Sequence, residues 1–353
     1  MKKTGRIAAA LMSGLMVLSL AGCGSSSTAT TTAAPAQSQA AAETQAAAPA
    51  NADAVVIKLG HVVSEESPYH IGASKFKELV EERTDGRYEI QIYPNAQIGS
   101  ERDLVEGVQM GSVGISITAT APVANFAQEL NAVEIPFLIR SYEHADKVFM
   151  GEIGADLANT VSEKAGVKCL GFWDNGFRSL VTKGKKVESV KDIAGLKIRT
   201  MENTFHQALW KALGADPTPM AWGDAYTAVQ QGALDGLENA ISLLYSLKCA
   251  EITDYLAVTE HLYSAGVVLM NQDIWSKMSA EDQKIFEEAF NEAGLYEREQ
   301  ARKLAEDAEA GLAAEGLEVT HPDKDELYQA TAEVRAELSK DFAELVQKID
   351  SVQ

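Results

Sequence analysis

The sequence predicts an α/β protein built in two lobes, with one long helix running across both. Three observations carry this. Strand-like and helix-like segments alternate along the chain, the order that makes parallel sheets covered by helices. About three hundred of the 353 residues remain for folding after an N-terminal leader and a polar tether, which favours two lobes over one core. Residues from about 280 to 314 form one helical stretch dense in Glu, Lys, Ala and Arg. At 1.5 Å per residue it is about 50 Å long, longer than one lobe. The alternative there is two shorter helices broken near Gly294.

The elements follow in order. Residues 55–63 open as a β-rich run, Ser67-Pro68 marks a turn, and Ile71 to Glu82 has a helical apolar face of Ile71, Phe76, Leu79 and Val80. Tyr88, Ile90 and Ile92 alternate with Glu89 and Gln91, as a strand does. Ser100 with Asp103 makes a capping-box-like start to a helix over 101–110, ended by Gly111. Residues 115–118 are a strand, and Cys169 to Phe172 is another, expected to end at the turn Asp174-Asn175-Gly176. Lys197 to Thr200 is a strand, and Asn203 caps a helix closed by Gly214. Thr218 to Trp222 is extended, Asp224 to Gln231 helical, and Gly236 leads a strand into Asn239. Leu243 to Tyr255 reads as helix, Ser264 to Asn271 as strand, Val319 to Pro322 as a last short strand, and a C-terminal helix starts near Asp323.

The N-terminus sets the address. Lys2, Lys3 and Arg6 precede an apolar run, Ile7 to Leu20, too short to span a bilayer comfortably. Leu20-Ala21-Gly22-Cys23 resembles the lipobox of bacterial lipoproteins, which implies cleavage before Cys23, lipidation of its sulfur and anchorage at the outer face of the cell membrane. An ordinary secretory peptide that carries a cysteine is the alternative. Residues 1–22 are thus expected to be signal peptide and 23–52, rich in Ser, Thr, Ala, Gln and Pro, a disordered tether. The expected lobes are 53–174 with about 265–304, and 175–264 with about 305–353.

Composition narrows the function. A net charge of -20 argues against nucleic-acid partners and against a basic membrane patch. There is no G-x-S-x-G, P-loop, H-E-x-x-H or C-x-x-C motif. The histidines at 61, 70, 144, 206, 261 and 321 share no metal-ligand spacing. No enzymatic activity, metal or cofactor is expected. Cys169 and Cys249 read as buried thiols, and two cysteines so far apart do not by themselves define a disulfide.

What remains is an anion-holding constellation. Gly195-Leu196-Lys197-Ile198-Arg199 reads as a strand delivering an arginine to a cleft, and Asp235 to Asn239 ends another strand on an amide. Pro217 to Trp222 lies between them. A guanidinium fork matches a carboxylate two bonds at a time. With Tyr93 to Gly99, Glu134-Ile135-Pro136-Phe137 and Asn175-Gly176-Phe177-Arg178, these segments resemble, in the right order, the extracytoplasmic solute-binding subunit of a tripartite ATP-independent periplasmic (TRAP) transporter, the DctP-type family. The resemblance spans about Val55 to Lys348.

The resemblance implies a two-lobed, periplasmic-binding-protein-like fold with hinge strands, and a cleft that closes on ligand. It implies delivery of a small organic acid to TRAP membrane permease subunits. Arg199 matches the family's carboxylate-pairing arginine, Arg178 a second arginine, Asn239 the ligand amide and Trp222 an aromatic packed on the ligand body. Leu237 stands where the usual pattern has Gln. Glu101 matches an acidic position that accepts ligand hydroxyls in sugar-acid binders, although the helix dipole alone also favours an acid there. A salt bridge is the alternative for Arg178, a turn cap for Asn239 and core packing for Trp222. Asn175, His61 and His70 are weaker cleft candidates. Val62 and Ala119 replace polar residues of sialic-acid binders. The expected ligand is a sugar acid such as a hexuronate. The alternatives are a C4-dicarboxylate, with Arg178 pairing the second carboxylate, and a ligand-sensing module for a membrane receptor.

Overall fold

The computed structural model describes residues 53–352, so the leader, Cys23 and the expected tether lie outside the described residues. The strands are β1 (Val55–Gly60), β2 (Tyr88–Tyr93), β3 (Ile115–Ala119), β4 (Lys168–Thr182), β5 (Lys197–Thr200), β6 (Asp216–Pro219), β7 (Gly236–Ala240), β8 (Tyr255–Met270) and β9 (Glu318–Thr320). They form one sheet in the order β2-β1-β3-β8-β4-β7-β5-β6, with β9 beside β8.

The sheet has two parallel halves joined by an antiparallel centre. β2, β1 and β3 run parallel to one another, as do β6, β5 and β7. β4 and β8 pair antiparallel along their whole length, and these two long strands thread both halves. β3 joins the C-terminal part of β8, and β7 joins the C-terminal part of β4, both antiparallel. The expected parallel order therefore holds within each half and reverses at the join.

Local chemistry explains most boundaries. Ser100 accepts from the Asp103 N–H and the Asp103 carboxylate accepts from the Ser100 N–H, closing the capping box of helix Glu101–Met110. Asn203 accepts from the N–H groups of Phe205 and His206, opening helix Thr204–Ala212. Residues Ala280–Ala314 are a single 35-residue helix, unbroken at Gly294. Its N-terminal part packs on helix Pro68–Arg83 and β4, and Gly311 lies under Tyr245, beside the second half of the sheet.

Three expectations are corrected. β4 does not end at Asp174-Asn175-Gly176 but runs on to Thr182. Asn-Gly is a strong turn signal, yet here Gly176, at φ 114°, is spent on a β-bulge that keeps the strand going. Leu243 to Tyr255 is not one helix: it divides into Ile241–Ser246 and a 3-10 turn Cys249–Glu251, and β8 begins at Tyr255. The C-terminal helix is three short ones, Lys324–Ala330, Ala332–Leu338 and Ala343–Ser351. Cys169 and Cys249 are free, buried thiols. Burial pushes Cys169 up to about 12, so it stays protonated. Among the described residues no helix is long and apolar enough to cross a membrane.

Candidate functional site

In open α/β sheets, ligand crevices form beyond the carboxyl ends of parallel strands. Here the carboxyl ends of both halves face one cavity. Val62 and Val63 follow β1, and Ala119 ends β3. Arg199 lies near the end of β5, Met201 follows it, Trp222 follows β6, and Asn239 lies near the end of β7. Glu101, Tyr69, Asn175 and Leu243 complete the lining of this tightly closed cavity, whose free volume is about 10 Å³.

Arg199 is 2% exposed. Its Nε donates to the Met220 carbonyl at 2.8 Å, its guanidinium carbon lies 5.4 Å from the Trp222 ring centroid, and its Nη1 has no partner. Burial lowers its pKa to about 10, with Glu238 opposing and Arg178 reinforcing the shift, so it remains a cation at neutral pH. A buried cation short of hydrogen bonds is costly unless a partner arrives.

Asn175 owes its position to the bulge. Asp174 pairs with Ala265 and Gly176 with Ser264, so Asn175 is the extra residue without a ladder partner. Bulges commonly re-aim a side chain in this way. Its Nδ2 donates to Ser264 Oγ at 3.3 Å, and its buried Oδ1 has no partner. The long helix clamps the bulge from behind. Asp174 N–H donates to Glu297, and its carboxylate accepts from Arg298 Nε at 2.9 Å, Arg302 Nε at 3.0 Å and Tyr263 OH at 2.6 Å.

Asn239 is held by one end. Its Oδ1 accepts from Arg178 Nη1 at 2.7 Å and from the Ala240 N–H at 2.9 Å, which leaves the amide nitrogen available to a ligand. Glu101 caps the opposite side: its Oε1 accepts from the Ala119 N–H at 2.7 Å. Burial raises its pKa, with Ala119, Arg199 and Arg178 opposing.

The structure thus gathers Arg199, Asn239, Trp222, Glu101 and Asn175 at one cavity, and leaves three candidates out of its lining. Arg178 lies behind it, fully buried. Its Nε and Nη2 grip Glu238 at 2.6 and 2.8 Å, and Nη2 also donates to the Glu238 carbonyl at 3.0 Å. Burial alone would protonate Glu238, but Arg178, the nearby His206 and a bond from His261 hold it well below the usual carboxylate range. His61 and His70 bond each other, Nε2 to Nδ1 at 3.1 Å. Burial, then the neighbouring His70, lowers His61 to about 3, so it offers no positive charge to an anion. Tyr69 lines the cavity although sequence reasoning passed over it. An aromatic in the first turn of an amphipathic helix reads as core, and only the preceding Ser67-Pro68 turn hinted at a strand-end loop.

Two of the roomier hollows show the contrast. In the one between β4 and the long helix, Arg298 is paired to Asp174 and Asp146. In the one beside the C-terminal helices, Lys324 is paired to Glu260 and Arg140 to Asp350. Among the described residues, no group of three or more His, Cys, Asp or Glu could hold a metal ion.

The chain is 37% identical over 282 residues to a solute-binding protein of Verminephrobacter eiseniae, covering 79% of this chain and 83% of that one. A TRAP periplasmic solute-binding protein of Polaromonas, crystallised with D-erythronate, superposes with a TM-score of 0.82 at 36% identity, covering 85% of this chain and 99% of its own. Another, from Sulfurospirillum deleyianum with bound succinate, gives 0.80 at 30% identity, with 84% and 99% covered. The DctP family model, bacterial extracellular solute-binding protein family 7, matches residues 59–343. The chain belongs to this DctP family of TRAP solute-binding proteins.

Proposed function

We propose that this protein captures a hydroxylated monocarboxylate outside the cytoplasm, a sugar acid such as a hexuronate, and hands it to a TRAP-type permease. The observation that carries this is the polarity of the cavity. One end offers donors: Arg199 Nη1 and the Asn239 amide nitrogen. Acceptors come from elsewhere around the cavity: the Glu101 carboxylate beside Ala119, and Asn175 Oδ1 on the central β4. A carboxylate suits the donors and hydroxyl protons suit the acceptors. A second carboxylate on the ligand would face Glu101, while the cation that would answer it, Arg178, is committed to Glu238. That argues for a sugar acid over a C4-dicarboxylate, and the erythronate-bound relative is in keeping with it.

The segments 53–174 with about 265–304, and 175–264 with about 305–353, act as lobes, with β4 and β8 as hinge strands between them. Charge-assisted hydrogen bonds contribute roughly 1.5–3 kcal/mol each, so Arg199 with Asn239 supports affinity near 1 μM, about 8 kcal/mol, once ring packing on Trp222 is added. Only the closed form lets both lobes touch the ligand, so the ligand favours closure and closure signals loading to the permease. Lipidation of Cys23 ties the loaded protein to the membrane that holds the permease.

A thermal-shift series tests the ligand class. D-glucuronate or D-galacturonate at a hundred times Kd stabilises the folded state by about 2.7 kcal/mol. That corresponds to a rise of several degrees in Tm. Succinate and malate leave Tm unchanged. The opposite pattern establishes a C4-dicarboxylate protein instead.

A further inference from the structure

We infer that Tyr69, acting with Asn175 Oδ1, reads one hydroxyl group of the ligand and so sets specificity for hydroxylated acids. The inference rests on the sugar-acid reading above and names a residue that reading does not use.

Tyr69 is the second residue of helix Pro68–Arg83, placed by the Ser67 cap and Pro68. It is 2% exposed, it lines the cavity, and its hydroxyl has no partner. Buried tyrosine hydroxyls usually find one. The position is built, not incidental. A Cβ at Gly266 would lie 2.7 Å from Tyr69 Cε1 and 2.9 Å from its oxygen. Gly266 sits where β3, β8 and β4 meet, paired with Ala119 and Trp173. The central strand therefore gives up a side chain at the one point where the phenol lies against it. Burial, then Glu101, raises the Tyr69 pKa well above its ordinary value, so the group stays an O–H donor.

Hydrogen-bond inventory supplies the selectivity. Asn175 Oδ1 only accepts, whereas a phenol donates and accepts. A ligand hydroxyl satisfies both at once, giving its proton to Asn175 and taking one from Tyr69. A methylene leaves both groups unpaired. A carboxylate oxygen accepts from Tyr69 but meets Asn175 Oδ1 lone pair to lone pair. Sites that leave buried polar groups unpaired reject the analogue lacking the hydroxyl.

Calorimetry on wild type and Tyr69→Phe, with D-glucuronate and its 2-, 3- and 4-deoxy derivatives, tests this. One deoxy derivative is expected to bind wild type at least tenfold more weakly than D-glucuronate. In Tyr69→Phe that gap collapses to under about threefold, because D-glucuronate itself has weakened. The ligand-free Tm stays unchanged, which a purely structural role for the hydroxyl would not allow. Equal D-glucuronate affinity in the two proteins overturns the proposal and leaves the sugar-acid reading intact. Wild-type protein that binds succinate and ignores D-glucuronate and every derivative overturns both, and the wild-type titrations alone reveal it.

Discussion

Two arginines flank β7, and they lead opposite lives. Arg178, from β4, is wrapped: a carboxylate in a two-bond grip, a carbonyl and an amide oxygen take its donors. Arg199, from β5, has a carbonyl, an indole face and an unpartnered nitrogen. Both are buried and both are cations on strands. The difference lies in whether the fold supplies the counter-charge. Where it does, the arginine is architecture that fixes a neighbouring amide. Where a donor is left without a partner, that donor is the one proposed for the ligand's carboxylate.

Substitution separates the two most sharply. Arg178→Ala strands Glu238 as a buried, unpaired charge, so unfolding stability falls by about 3–5 kcal/mol. Binding falls too, because Asn239 loses the donor that orients it. Arg199→Ala removes a half-satisfied cation, so ligand-free stability holds or rises. Affinity drops at least hundredfold, from two charge-assisted bonds worth roughly 1.5–3 kcal/mol each. Arg199→Lys restores little, since an ammonium cannot present a planar fork. Denaturant melts beside calorimetry check all three variants. Unaltered affinity in Arg199→Ala would falsify the assignment of Arg199 as the grip.

That contrast also marks what sequence can reveal. The alternation of strands and helices, the capping box at Ser100 and the unbroken helix over 280–314 were legible, because each is written in local spacing. The approach of Arg199, Asn239, Trp222 and Glu101, at or near strand ends or first helical turns, and of Asn175, at the bulge within β4, followed from the family resemblance together with those elements. What stayed hidden depends on distant partners. Nothing near Arg178 in the chain announces that Glu238, sixty positions on, will take its donors. His61 and His70 read as polar groups near a cleft, and they bond each other instead. The Asn-Gly at 175–176 reads as a turn, and only the pairing with β8 converts it into a bulge.

A pH series sharpens the comparison further, because the Arg178 side carries two buried titrating groups, His206 and Glu238. His206 bonds Glu134 at 2.7 Å and lies 3.9 Å from Glu238, beyond hydrogen-bond reach. Burial opposes its protonation, but the two carboxylates raise its pKa above the ordinary 6.5. Its contribution is therefore complete below 6.5 and is lost as pH climbs through the raised folded value. Glu238 runs the other way: its depressed pKa contributes stability above 4.5 that is lost as pH falls toward the folded value. Because burial also lowers His61 to about 3, protonation of the unfolded chain adds an acid decline that starts near 6.5, so ligand-free Tm is expected to peak near pH 6.5 and fall on both sides. In His206→Gln the alkaline decline flattens while the acid decline stays. A His206→Gln profile that keeps its full alkaline limb assigns that limb elsewhere.

The smallest expected effect concerns how the cavity of Arg199 is kept shut. Residues 119–131 meet residues 201–203 across its mouth. Met201 packs on Ala119 and Ala121, Asn203 Nδ2 donates to the Ala121 carbonyl at 3.2 Å and to Asn131 Oδ1 at 2.9 Å, and Asn125 Nδ2 donates to the Glu202 carbonyl at 3.1 Å. The three hydrogen bonds join the two sheet halves through residues outside the cavity lining, so they bias closure and not choice. Asn203 also caps a helix, which makes its removal ambiguous. Asn125 is exposed, and its second bond, to the Pro122 carbonyl at 3.1 Å, stays within its own segment, so Asn125→Ala removes a single bond across the mouth, with ligand-free stability measured beside it to account for the other. One solvent-facing hydrogen bond contributes about 0.5 kcal/mol, a two- to threefold change. Because a ligand pays for whatever closure the protein does not hold by itself, the change should fall on every bound acid alike and should enter through faster dissociation. Stopped-flow release of two different acids checks it: equal acceleration supports a latch, whereas an effect on one acid alone would make Asn125 part of the recognition surface.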